Sequence, residues 1–178
     1  QGATINSWGV GTNLITSKDC PSFGGVYKLS AIQNNDGEFI PKIKISENVE
    51  KITNPGDKTI YRVYDKETGK IRADLICFAD ETWNEEDELL LFDPNATWKK
   101  TRLPGGSYTM KEILLPIFKH GECIYESPSV MEIAQFCKEE KETLWDETKR
   151  LFNPHGVYVD LSRSLYDTKT RLLDEMSK

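Results

Sequence analysis

Between Gly25 and Glu126 the sequence is cut into a series of short apolar or β-branched runs by turn residues, and no helical pattern intervenes between them. Parallel neighbours need a crossover of about a dozen or more residues, usually a helix, so this spacing predicts antiparallel hairpins. The expected strands are Val26 to Ile32, Ile40 to Ile45, Lys58 to Tyr64, Arg72 to Phe78, Glu88 to Phe92, Thr97 to Arg102, Ile113 to Phe118 and Cys123 to Tyr125. Asn35-Asp36-Gly37, Glu67-Thr68-Gly69, Pro104-Gly105-Gly106 and Lys119-His120-Gly121 supply the turns.

The period changes after Glu126. Ser127 and Ser129 suit helix caps, Pro128 suits a first turn, and Glu132 three residues beyond Ser129 completes a capping-box pattern. Val130, Ile133, Ala134 and Cys137, continued by Leu144, Thr148 and Leu151, mark one face at helical spacing, with Lys138 to Glu142 as its solvated side. Asn153-Pro154-His155-Gly156 stops that helix, and a shorter one is expected from Ser162 to Glu175 with Leu165, Leu172 and Met176 inward. The fold class is α+β, in three parts: residues 1–22, a β-rich domain over 23–126, and a helical segment over 127–178.

Within the first part, Ile5 to Trp8 reads as a strand and passes into Gly9-Val10-Gly11-Thr12. A strand there with no preceding partner predicts that the sequence begins inside a larger fold. A phosphate group needs several converging donors, and backbone N–H groups converge only where side chains leave room. Gly9 and Gly11 remove the obstructing Cβ atoms and permit positive φ, and Thr12 adds a hydroxyl. The same composition also makes an ordinary tight turn. Lys28, Lys42 and Lys44 lie close in sequence, and Lys42 and Lys44 alternate with Ile43 and Ile45 on one strand face, where they either contact phosphate or ATP oxygens or line an outer edge. Gly24-Gly25 is a hinge into the next strand or a second loop of the same kind. Trp8 is expected to pack beneath the glycine turn.

The 178 residues carry a net charge of −6, with 38% hydrophobic residues, and show no basic stripe with interleaved aromatics, which argues against nucleic acid. No apolar run approaches the roughly 20 residues of a membrane span and no leader pattern is present, so a cytoplasmic location is expected. Cys20, Cys77, Cys123 and Cys137 are scattered, with only His120 and His155 as nitrogen partners, so reduced thiols and no zinc site are expected. His120 in a turn and His155 at a helix stop read as surface or capping residues.

Gly9-Val10-Gly11-Thr12 is followed by Leu14-Ile15-Thr16-Ser17, by Cys20 to Leu29, by Pro41 to Gly56, by Pro116-Ile117-Phe118, by Tyr125-Glu126-Ser127-Pro128-Ser129 and by Asn153-Pro154-His155. In that order and spacing the chain resembles the C-terminal part of the nicotinate phosphoribosyltransferases over nearly its whole length. The resemblance implies an enzyme that forms nicotinate mononucleotide and pyrophosphate from nicotinate and phosphoribosyl pyrophosphate, with magnesium and with ATP hydrolysis through a phosphohistidine. It implies that Ile5 to Trp8 is a late strand of an irregular α/β barrel, and that Gly9, Val10, Gly11 and Thr12 hold the 5-phosphate. A homodimer is implied in the same way. The family's phosphorylated histidine and its nicotinate-binding arginine have no counterpart in this sequence, so no catalytic residue is expected here and the segment alone is expected to be inactive. A rival reading makes it a non-catalytic regulatory or assembly module of a larger enzyme. A third, an independent binding domain, would need an aromatic-lined groove, with Trp83 and Trp98 as its walls.

Overall fold

The computed structural model describes residues 4–22, 24–48, 51–96 and 98–176. Along the chain it forms α1 (Thr12–Thr16), β1 (Ala31–Gln33), β2 (Phe39–Pro41), β3 (Lys58–Asp65), β4 (Ile71–Phe78), β5 (Leu89–Phe92), β6 (Lys100–Leu103), β7 (Tyr108–Glu112), β8 (Phe118–Lys119), β9 (Glu122–Cys123), α2 (Val130–Glu142), β10 (Val159–Leu161) and α3 (Arg163–Met176).

Two long strands start the architecture. In β4 the alternation is strict: Ile71, Ala73, Leu75 and Cys77 are buried, while the residues between them are exposed or half-buried. β3 pairs with it antiparallel through the Glu67-Thr68-Gly69 turn, and β7 adds antiparallel on the other side of β3. β5 and β6 form a second antiparallel pair. β10 joins the two groups by pairing parallel with β4, Asp160 opposite Leu75, and antiparallel with β5, Leu161 opposite Phe92. The result is one six-stranded sheet in the order β6-β5-β10-β4-β3-β7, beside the small hairpins β1-β2 and β8-β9.

The expectation of antiparallel hairpins alone is therefore corrected. The crossover that a parallel neighbour of β4 requires is supplied by the long chain excursion through α2, and β10 arrives from the segment expected to be helical. β7 is a further strand that the sequence reading passed over, whereas Ile113 to Ile117 is irregular, with Ile113 N–H donating to the Ile60 carbonyl at 3.0 Å. The runs Val26 to Ile32 and Ile40 to Ile45 contract to β1 and β2, so Lys42 and Lys44 lie beyond a strand rather than on one. Thr97, the expected start of the sixth strand, lies outside the described residues, and pairing begins at Lys100.

Burial divides between the two faces. One carries Val63, Ala73, Leu75, Cys77, Leu89, Leu91, Leu103 and Tyr108, with Trp83 packed against them. The other carries Phe92 and Leu161 against Leu165 of α3, with Phe92 and Tyr166 stacked at 4.8 Å. Ser162 starts α3: its hydroxyl accepts from Leu165 N–H at 3.2 Å and donates to Glu81 at 2.7 Å. Leu165 is inward as expected, but Met176 is exposed.

α2 has the expected capping box at Ser129 and Glu132 but ends at Glu142 rather than running to Leu151. The reason is competition from the sheet. Thr143 gives its carbonyl to Ile71 N–H at 2.8 Å, and Trp145 Nε1 donates to the Ile71 carbonyl at 2.6 Å. Lys70 donates to the carbonyls of Glu142 and Leu144, which closes the helix end.

Candidate functional site

Gly11 is extended, with φ −135° and ψ −151°, and stands at the N-cap of α1. Its carbonyl accepts from Leu14 and Ile15 N–H at 3.1 and 3.3 Å, and Thr16 hydroxyl donates to the Thr12 carbonyl at 2.7 Å. The turn then stops at Ser17, which is left-handed at φ 46°. Gly9, Val10, Gly11 and Thr12 are all exposed, and a Cβ placed on either glycine would meet nothing within 4 Å. Positive φ, expected at these glycines, is not used at either one. The unobstructed approach to the backbone is present. The first N–H groups of a helical turn, here those of Thr12 and Asn13, have no partner within it.

Ile5 to Trp8 is not a strand. Its residues are exposed and have no ladder partner among the described residues, and Trp8, 74% exposed, does not pack beneath the glycines. A strand pairs or it does not persist. Lys28 and Lys44 are exposed and Lys42 is half-buried. Lys42 N–H donates to Ser30 carbonyl at 2.7 Å and Lys44 N–H to Thr53 hydroxyl at 2.9 Å, which orders their backbone, but no hydrogen bond or ion pair among the described residues links the three lysines to residues 9–12. His120 occupies the β8-β9 turn at φ 49°, and His155 N–H donates to Glu147 carbonyl at 3.0 Å. Trp83 belongs to the core and Trp98 is 83% exposed, so the two do not form the walls of one groove.

The sheet holds polar groups that the sequence reading did not single out. The step after Leu161 opposite Phe92 sets Asp160 beside Asp93. Asp160 is 5% exposed; burial pushes its carboxyl up, Asp93 adds to the effect and Lys99 partly counters it. Asp93 lies below the usual carboxylate range, held there first by the N–H of Asn95, then by Ala96 N–H and by Lys99, whose Nζ is 3.3 Å away. On the opposite face Lys169 is 7% exposed and donates to Asn54 Oδ1 at 2.9 Å, and burial lowers its pKa. The signal for these residues was faint but real: an aspartate inside an apolar triplet, and a lysine four residues after Leu165 on the inward stripe of α3.

No group of three or more His, Cys, Asp or Glu placed to hold a metal ion occurs among the described residues. No described helix is long and apolar enough to cross a membrane.

A mixed six-stranded sheet backed by helix α3 is consistent in fold with the C-terminal domain of a phosphoribosyltransferase. Residues 57–169, more than half of the chain, match the family profile described as the nicotinate phosphoribosyltransferase C-terminal domain, and the chain belongs to that family. It is 37% identical over 176 residues to a nicotinate phosphoribosyltransferase of Bacillus subtilis, covering 99% of this chain and 35% of that protein. It is 34% identical over 163 residues to the Caenorhabditis elegans protein of the same name, and 30% over 166 residues to the human one, covering 28% and 29% of those proteins and 91% and 93% of this chain. The chain thus spans about a third of the length of these relatives. The crystal structure of human nicotinic acid phosphoribosyltransferase superposes with a TM-score of 0.60 at 21% identity, over 68% of this chain and 24% of that one, a likeness of fold.

Proposed function

We propose that this chain is part of an enzyme that makes nicotinate mononucleotide and pyrophosphate from nicotinate and phosphoribosyl pyrophosphate, and that Gly9 to Thr12 supply donors to the 5-phosphate. The observation that carries the reading is the 37% identity to the Bacillus subtilis relative, which runs through 176 residues and therefore includes the glycine turn. The open approach at Gly9 and Gly11 and the N–H groups at the start of α1, which have no partner within the helix, support the phosphate role. Ile5 to Trp8 takes strand form only when paired with the rest of a barrel. ATP coupling, magnesium, a homodimer and a cytoplasmic setting belong to the same proposal, and none of the groups that would hold nicotinate or metal is assigned to this segment. Phosphate contacts from Lys28, Lys42 or Lys44 are the least supported part.

A second reading is favoured by one observation: the family profile covers residues 57–169 and leaves the glycine turn outside. On that reading the domain is a regulatory or assembly module. The test is a chimera in which this chain replaces the aligned third of the Bacillus subtilis relative, assayed for nicotinate-dependent pyrophosphate release with and without ATP. The expected result is an active, ATP-stimulated chimera in which Thr12→Val raises KM for phosphoribosyl pyrophosphate roughly tenfold, equivalent to about 1.4 kcal/mol. An active chimera with the KM unchanged by Thr12→Val leaves only the module reading. Lys44→Ala with unchanged KM for ATP and phosphoribosyl pyrophosphate removes that lysine.

A further inference from the structure

The segment between α2 and β10 folds back over the end of the sheet and borders a half-open cleft of about 500 Å³. Its floor is sheet face, including Ala73 and Leu91, and its walls include Trp145 and Tyr158. None of these elements contains the glycine turn. Register partners share a face, so Asp160, opposite Leu75, lies on the same side as Ala73 and Leu91 and faces this space. The Trp145 indole is fixed by its hydrogen bond to Ile71 carbonyl, whereas Tyr158 is held through its backbone, its carbonyl accepting from Asp74 N–H at 2.8 Å, with its ring 4.5 Å from Lys99 Nζ.

Asp160 is the unusual member. It is 95% buried on a central strand, and no hydrogen bond reaches its carboxyl among the described residues. Lys99, whose charge acts on it, is already engaged, 3.3 Å from Asp93 Oδ2 and 4.5 Å from the Tyr158 ring centroid. Asp160 borders this cleft and also a neighbouring one with Asp93 and Lys169, and a carboxyl without a protein donor can be reached by a ligand only from those two spaces. An anion is disfavoured in the first cleft by Asp160 and Glu147, and Arg72, which also borders that cleft, is already 3.6 Å from Asp65. An apolar floor, two aromatic rings and one acceptor instead suit a flat apolar body that carries a cationic donor.

We propose that this cleft is a binding site for a small aromatic amine or amidine, whose nitrogen donates to the Asp160 carboxyl while its ring lies against Trp145 and Tyr158. The site is independent of the phosphate reading and takes the opposite charge. The test titrates the 178-residue chain with benzylamine and, separately, with benzyl alcohol, which has the same ring and no charge, following the amide resonances of Ala73, Leu91 and Tyr158. Benzylamine is expected to bind at least roughly tenfold more tightly. Asp160→Asn, which keeps the side-chain volume, is expected to reduce that preference to about threefold or less. Equal binding of the two probes, absence of binding, or shifts confined to other residues overturns the proposal. The comparison of probes on the unaltered chain stands even where the variant folds poorly.

Discussion

Asp160 and Gly56 show how single residues set the stability of this sheet. Burial raises the Asp160 carboxyl above its ordinary value, so the folded chain holds that proton more tightly than the unfolded chain does. The stabilising contribution is complete below the unfolded pKa of about 4 and is lost as pH rises through the folded value. Asp160→Asn should therefore be more stable than the wild type at about pH 7, with the advantage shrinking towards about pH 4. Urea midpoints across that range are the measurement, and an advantage independent of pH would contradict it. Lys169 has the opposite linkage: with its pKa lowered by burial, its contribution falls as pH drops through the folded value, and Asn54 is its recorded partner. Gly56 is constrained by its backbone. It holds φ at +88°, and a Cβ there would run into the Phe78 ring. Gly56→Ala should cost about 2 kcal/mol or more, read by the same denaturation.

Among the elements, β10 has the largest consequence for its length. Three residues join β4 to β5, and Leu161 is fully buried between Phe92 and Leu165. Leu161→Ala should cost about 3 kcal/mol through the cavity it leaves, and thermal unfolding should stay a single transition with a lower midpoint. Arg62 ties α2 to the sheet, forking onto Asp74 at 2.8 and 3.0 Å and reaching Glu140 at 3.1 Å. Arg62→Met takes away both hydrogen bonds recorded to the Asp74 carboxylate, whose side chain is only 15% exposed, and should cost about 2–3 kcal/mol, with amide exchange fastest in α2. The same elements mark what was legible beforehand. β4 was readable because its buried face alternates with period two, β3 and β5 because they are β-branched, aromatic or apolar runs bounded by turn residues, and α3 because Leu165 and Leu172 repeat at helical spacing. The turn at Pro104-Gly105-Gly106 was readable because Gly105 passes against the Glu86 backbone, which excludes any side chain there. β10 was hidden, since three residues give no period and an aspartate in the middle argues against burial. The end of α2 was hidden because the backbone of β4, distant in sequence, takes Thr143. The glycine turn was legible as an open backbone, but its partners were not, because its recorded hydrogen bonds among the described residues come from α1 itself.

Across the whole molecule, burial is concentrated in the six-stranded sheet and α3, while residues 4–22 and α2 leave large apolar side chains such as Trp8, Ile15, Met131 and Phe136 exposed. Local stability follows that density, so opening should be easiest outside the sheet. Connectivity adds a sharper consequence. The last part of the chain returns to insert β10 between β4 and β5, so the sheet is held by pairing rather than by the covalent link through residues 113–128. Lys119, exposed at the end of β8 next to the tight turn into β9, is an accessible tryptic site in that link. Limited trypsin digestion should cut there early and leave two pieces that elute together from a native sizing column, because separating them would strip β10 of both neighbours and expose Leu161 and Leu165. They should part only in denaturant. Pieces that separate in native buffer would mean that β10 adds little to the sheet, and the large cost expected for Leu161→Ala would then fail as well.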